Sequence, residues 1–202
     1  MSEEKRRLRA EVLELLKALP VDTVLEKSKR IEERLFEGEW WRRAREVYCF
    51  VSMPREVQTA EVCRRAIEEG KVLALPRVAG DDICFHRMGE PDRPLVRSRF
   101  GIDEPPADLP SIAPGGGEPG PGSGAGAAAE GALVIVPGLA FDLDRYRLGR
   151  GRGYYDRFLA ACPRSAMTVG VCFEEQLVEH VPRDDWDVRI DRVITDERVI
   201  SG

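Results

Sequence analysis

One stretch of this chain is dense in groups suited to phosphate chemistry. It runs Val136-Pro137-Gly138-Leu139-Ala140-Phe141-Asp142 and then Arg147-Leu148-Gly149-Arg150-Gly151-Arg152-Gly153-Tyr154-Tyr155-Asp156. Glycines at 149, 151 and 153 let backbone N–H groups approach an anion closely, and a helix that follows adds partial positive charge at its N-terminus. Arg147, Arg150 and Arg152 supply forked, permanently charged donors that match phosphate oxygens. The spacing is neither a Walker loop nor a dinucleotide fingerprint, because the glycines fall as G-x-G-x-G with no G-K-[ST]. A solvated connector is the simpler reading, but three alternating glycines are conformationally costly in a mere connector. The block therefore reads as a polyphosphate cradle. Asp156, in the first helical turn, is either a partner for the helix dipole or a magnesium ligand beside bound phosphates.

A second basic group, Lys5-Arg6-Arg7 with Arg9, lies near the start. Taken alone it reads as a solvated helix face. At about 100° per residue, however, Lys5 and Arg9 fall beside the apolar stripe of Leu8, Val12 and Leu16, so their stems can pack while the charged heads reach a neighbouring cleft. His86 and His180 have no partner at metal-ligand spacing and receive no role. There is no G-x-S-x-G elbow, no H-E-x-x-H and no cysteine in a nucleophile setting, which argues against a covalent protein intermediate.

These groups need a scaffold. The apolar periodicity predicts a first helix ended by Pro20 and a second, capped by Asp22, with Val24, Ser28, Ile31 and Leu35 inward; Trp40-Trp41 closes this helical opening. Val47–Val51 reads as a strand covered on both faces, Thr59–Gly70 as a helix and Lys71–Pro76 as a second buried strand, forming one βαβ unit. Further strands are expected at Ile83–Met88, Ala132–Pro137, Met167–Phe173 and Arg192–Thr195, with a helix over Tyr154–Ala161. Alternating strands and helices mean α/β with a mostly parallel sheet. Residues 114–131, almost wholly Gly, Pro and Ala, read as a flexible insertion in a single domain spanning 1–202.

At 202 residues the chain can bury one proper core without disulfides or a structural metal. With 43% hydrophobic and 33% charged residues it is neither collagen-like, wholly disordered nor membrane-embedded. Its net charge of -5 makes it a poor general nucleic-acid binder. The five scattered cysteines form no C-x-x-C pair. The start has no signal-type apolar region, so a cytoplasmic monomer acting on small molecules, without nucleic acid or membrane, is expected.

The chain resembles the 5-formyltetrahydrofolate cyclo-ligase family (5,10-methenyltetrahydrofolate synthetases). The resemblance rests on Lys5-x-x-x-Arg9, Ser52-Met53 followed by Glu56-Val57-Gln58-Thr59, and Leu75-Pro76-Arg77-Val78. Phe100-Gly101-Ile102-x-Glu104-Pro105, the Pro137-to-Asp156 block, and Asp187 with Asp191 complete it. It implies a three-layer α/β/α sandwich. It also implies ATP- and Mg2+-dependent cyclisation of 5-formyltetrahydrofolate to 5,10-methenyltetrahydrofolate, releasing ADP and phosphate through a phosphorylated formyl intermediate. By matched position, Lys5 and Arg9 would contact ATP, and Arg147, Leu148, Gly149, Arg150, Gly151, Arg152, Gly153, Tyr154 and Tyr155 would enclose its phosphates. Residues Arg150 to Tyr154 would also face the folate formyl group, with Arg150, Arg152 and Tyr154 as the catalytic groups; Met53 and Gln58 would contact the folate, and Asp156 and Asp187 would bind magnesium. The family favours an acidic residue where Gln58 stands, and Lys is common where Arg152 stands. Two other readings compete: a non-catalytic folate- or nucleotide-binding relative (or one acting on another N-formyl compound), and a phosphosugar isomerase-like enzyme, which needs a separate acid/base pair.

Overall fold

The computed structural model of the chain describes residues 2–89, 94–98, 101–113 and 131–202. Phe100 and residues 114–130 of the expected Gly/Pro/Ala insertion lie outside the described residues.

Helices α1 (Glu3–Ala18), α2 (Val21–Glu37) and α3 (Glu39–Arg43) open the chain and lead to β1 (Glu46–Tyr48). Helix α4 (Ala60–Glu68) carries it to the hairpin of β2 (Val72–Ala79) and β3 (Asp82–Met88). Short strands β4 (Val96–Arg97), β5 (Asp103–Glu104) and β6 (Ser111–Ile112) precede β7 (Ala132–Val136), β8 (Ala140–Asp142) and β9 (Arg147–Leu148). Helix α5 (Tyr154–Ala161), β10 (Met167–Val171), β11 (Leu177–Val178), β12 (Arg192–Ile194) and β13 (Val199–Ser201) follow.

Among the described residues the main sheet has eight strands in the order β13-β12-β10-β7-β1-β2-β3-β6. Its centre, β12-β10-β7-β1-β2, is parallel, and the outer strands β13, β3 and β6 add antiparallel. The expected βαβ unit is present as β1, α4 and β2. Strand alternation divides the core. Val47, Leu133, Ile135 and Val169 join the cluster that buries Val12 and Leu16 of α1, Ile31 and Leu35 of α2, Trp41 of α3 and Val62 of α4. Tyr48, Val134, Val136 and Val193 point the other way and pack with Leu159 and Phe158 of α5. The result is the α/β/α layering that the sequence predicts, with α1 to α4 on one face and α5 on the other. No helix among the described residues is long and apolar enough to cross a membrane.

Two local expectations differ. Asp22 is not the cap of α2: the helix begins two residues earlier than an Asp22 cap would place it, from Pro20 (φ -59, ψ 148), and has Asp22 in its first turn. Proline supplies the required φ without a side-chain bond. The strand predicted over 47–51 pairs in register only through Tyr48, and residues 49–53 run on from the sheet toward a cavity, to which Phe50, Val51 and Met53 contribute.

Candidate active site

The connectivity creates the site. From β1 the chain crosses through α4 to β2 on one side; from the adjacent β7 it crosses through α5 to β10 on the other. Neighbouring strands whose crossovers diverge leave a crevice outside their carboxyl ends, where open α/β sheets bind ligands. The segments leaving those two strands line a cavity of about 280 Å3 there. Phe50, Val51, Pro76, Val78, Ile83 and Ile102 form its apolar wall, while Glu56, Arg147, Arg150, Tyr155 and Asp156 bring charge and hydrogen-bonding capacity.

Arg147 is the central group. It is 5% exposed, and its Nη2 donates to Asp156 Oδ1 at 2.8 Å. Burial pulls its pKa below the ordinary arginine value, against the opposing pull of Asp156, Tyr155 and Asp187. Its Nε has no hydrogen-bond partner, and neither has the buried Tyr155 hydroxyl, whose pKa burial pushes upward. Both groups are buried behind the cavity surface and stay unpaired, which is rare for buried polar atoms. The guanidinium also lies 5.6 Å from the Tyr155 ring centroid.

The loop that follows is shaped by its glycines. Gly151 (φ 99) and Gly153 (φ 68) adopt left-handed backbone, and Gly153 serves as N-cap of α5. Gly149 is needed for space: a Cβ there would fall 2.9 Å from Arg147 Nη1. Arg9 anchors the loop from α1, its Nε donating to the Gly149 carbonyl at 2.8 Å. Lys5 is 6% exposed, and its ammonium donates to Asp184 Oδ2 at 2.7 Å and Asp187 Oδ2 at 2.5 Å. Burial opposes its charge, but its hydrogen bonds to those carboxylates and their negative charge outweigh it and leave the pKa above the ordinary 10.5.

Of the residues singled out in the sequence, Met53, Arg147, Gly149, Arg150, Arg152, Gly153, Tyr154, Tyr155 and Asp156 line this cavity. Lys5, Arg9 and Asp187 lie outside the lining and connect to it through Gly149 and the electrostatic reach of Asp187 on Arg147. Leu148 belongs to the core at 1% exposure and pairs with Ala140. Gly151 lines a neighbouring open recess with Arg152, Tyr154, Arg157, Asp81 and Asp82.

Gln58 does not line the cavity. Its amide nitrogen donates to the Glu56 carbonyl at 2.7 Å and the Met53 carbonyl at 3.1 Å, so the side chain braces its own loop. The carboxylates that do line the apolar wall are ones to which the sequence reading gave no role. Glu56 holds Arg150 at 2.8 Å and the Met53 N–H at 3.0 Å, and Glu104 is 5% exposed. Both stood inside motifs already noticed, at Glu56-Val57-Gln58 and Ile102-x-Glu104-Pro105.

Asp156 and Asp187 both act on Arg147, and each commits only one oxygen to the hydrogen bonds described here. These two carboxylates are the ones that would hold a magnesium ion, with its remaining ligands from phosphate and water. No group of three or more His, Cys, Asp or Glu assembles a protein-only cage among the described residues.

The profile of the 5-formyltetrahydrofolate cyclo-ligase family matches residues 1–196. The 5-formyltetrahydrofolate cyclo-ligase of Mus musculus is 28% identical, covering 98% of this chain and 96% of its own length. A probable 5-formyltetrahydrofolate cyclo-ligase of Schizosaccharomyces pombe is 29% identical over the whole of both chains. The solved structure of Aquifex aeolicus 5,10-methenyltetrahydrofolate synthetase superposes with a TM-score of 0.80 at 30% identity, over 98% of this chain and 92% of that one. The Mycoplasma pneumoniae synthetase, at 20% identity and a TM-score of 0.70, shares the fold, covering 95% and 98%. A profile match along nearly the whole chain means that this chain belongs to the 5-formyltetrahydrofolate cyclo-ligase family of ligases.

Proposed function

We propose that the chain cyclises 5-formyltetrahydrofolate to 5,10-methenyltetrahydrofolate with consumption of ATP, releasing ADP and phosphate. The observation that carries this reading is the folding of the Arg147-to-Asp156 block, with its buried arginine and left-handed glycines, around an otherwise apolar cavity. Such a cavity suits a flat heterocycle on one side and an anion on the other.

A formamide oxygen is a poor leaving group, so the γ-phosphoryl of ATP moves onto it first, and ADP leaves. N10 of the folate then attacks the formyl carbon, losing its proton, and the carbon–oxygen bond breaks to release phosphate as the ring closes. Transfer of this kind asks for positioning and charge neutralisation more than for a protein nucleophile. Arg147, buried and held by Asp156, fixes positive charge where the transferred group must pass. Arg150, tethered by Glu56, and Arg152 and Tyr154 beside it face the formyl end. Lys5 and Arg9 reach the nucleotide from α1. Asp156 and Asp187 would hold a magnesium ion, which would supply further neutralisation of the phosphates.

The route is testable by isotope. With 18O in the formyl group, the label is expected in the released phosphate. Label recovered in water instead, with phosphate unlabelled, would rule out phosphorylation of the formyl oxygen.

A further inference from the structure

Among the described residues four carboxylates line the cavity, and three have a donor close at hand. Glu56 accepts from Arg150 at 2.8 Å and the Met53 N–H at 3.0 Å, Asp103 from Arg97 at 3.1 Å, and Asp156 from Arg147 at 2.8 Å. Glu104 is different. Although it is 5% exposed, its nearest hydrogen-bond donor among the described residues is the Val78 N–H at 3.3 Å. Arg77 Nη1 stands 3.8 Å from Oε2 and is taken instead by the Pro105 carbonyl at 2.7 Å. A buried carboxylate so lightly satisfied is costly unless a ligand completes it. Its neighbours in the lining, Pro76, Val78, Ile83 and Ile102, are apolar, the setting in which a single polar group fixes the orientation of a bound molecule.

A pterin ring presents a 2-amino group and an adjacent ring N–H as parallel donors, and an ionised carboxylate offers two acceptor oxygens to match them. Gln58 does not serve: its amide nitrogen is spent on two loop carbonyls, its oxygen lies 3.5 Å from Ser52 Oγ, and it lies outside the cavity lining. We propose that Glu104 is the residue that reads the donor edge of the pterin in this protein, with the Val78 N–H holding its carboxylate in place. The inference rests on the folate reading of the site and adds to it the recognition group that position 58 lacks.

The test is calorimetric titration with 5-formyltetrahydrofolate in the absence of ATP, and separately with ATP. Glu104→Gln should weaken folate binding about 10- to 100-fold while leaving ATP affinity within about twofold, and Gln58→Glu should gain little. A 2-desamino analogue separates recognition from structure: it should bind the unaltered protein more weakly than the parent ligand, and Glu104→Gln should abolish that difference. Equal weakening of parent and analogue by Glu104→Gln, or unchanged folate affinity, would overturn the proposal, as would a gain from Gln58→Glu of the same size. Should Glu104→Gln fail to fold, Glu104→Asp, which withdraws the carboxylate by one methylene, takes its place with the same expectations. An unaltered protein that binds no 5-formyltetrahydrofolate would remove the folate reading and this inference together; an unaltered protein that binds it normally leaves the outcome with Glu104.

Discussion

Lys5 and Asp187 lie 182 residues apart in sequence and 2.5 Å apart in space. The third residue of α1 is a poor place for a cation, because the helix dipole is positive at that end. Asp187 and Asp184 offset that cost, and in doing so they tie the first turn of the chain to the segment before β12. The arrangement also keeps a cation beside the carboxylate assigned to magnesium. Lys5→Met keeps the packed stem and removes the charge. It should weaken ATP binding by about tenfold or more, as the loss of a hydrogen bond between charged groups does, while folate binding changes little. Titration with each ligand separately checks this, and equal losses for both would point to a structural role alone.

Arg147 and Gly149 form a second coupled pair. A Cβ at 149 would press on Arg147 Nη1, and the backbone there needs no left-handed conformation. Gly149→Ala should therefore lower turnover far more than stability. Gly153→Ala should do the reverse in part, because φ 68 costs an alanine about 1–2 kcal/mol, while Arg157 Nη1, 2.8 Å from the added Cβ, belongs to an exposed side chain that can give way. Measuring Tm and turnover for both variants separates space from strain; similar activity losses at similar Tm would contradict the distinction.

Arg147→Lys keeps the charge but cannot both hold Asp156 and present a second donor to the cavity. A fall in turnover of about 100-fold is expected, the scale of losing one preorganised donor at a centre of developing charge. Steady-state rates measured with ATP and folate both saturating show whether the loss lies in the chemical step.

Much of this arrangement was legible in the sequence, and the reasons differ by residue. The loop block announced itself because glycine spacing and arginine are local signals, and Tyr154–Ala161 is the helix that the pattern foretells. Lys5 could be suspected from its angle beside the Leu8, Val12 and Leu16 stripe, although its partners could not, since Asp184 and Asp187 lie at the far end of the chain. Glu56 and Glu104 were invisible as site residues because nothing local marks an acid as facing a cavity. Glu56 meets Arg150 across 94 residues, and Glu104 reaches the site through the pairing of β4 with β5 and its contact with Val78. Gln58 shows the opposite case, a position with a role by resemblance whose side chain turns back onto its own loop.

Away from the site, Glu32 on α2 is raised from the ordinary 4.5 to about 7, by burial first and then by the neighbouring carboxylates of Glu61 and Glu33, with Lys29 opposing. The folded state therefore holds a proton that the unfolded chain releases. Its favourable contribution is complete below about pH 4.5 and is lost as pH rises through about 7. Glu32→Gln should melt higher than the unaltered protein at pH 8, with the gap closing toward pH 4. A constant gap across that range would show that Glu32 does not titrate in this window.

The most direct measurement follows the methenyl chromophore by absorbance, with purified protein, 5-formyltetrahydrofolate and magnesium, in the presence and absence of ATP. Growth of the band only when ATP is present, with one ADP formed per methenyl product, is the expected result. A band that grows equally without ATP, or nucleotide and folate binding with no band at all, would contradict the assignment of this cavity to ATP-driven cyclisation.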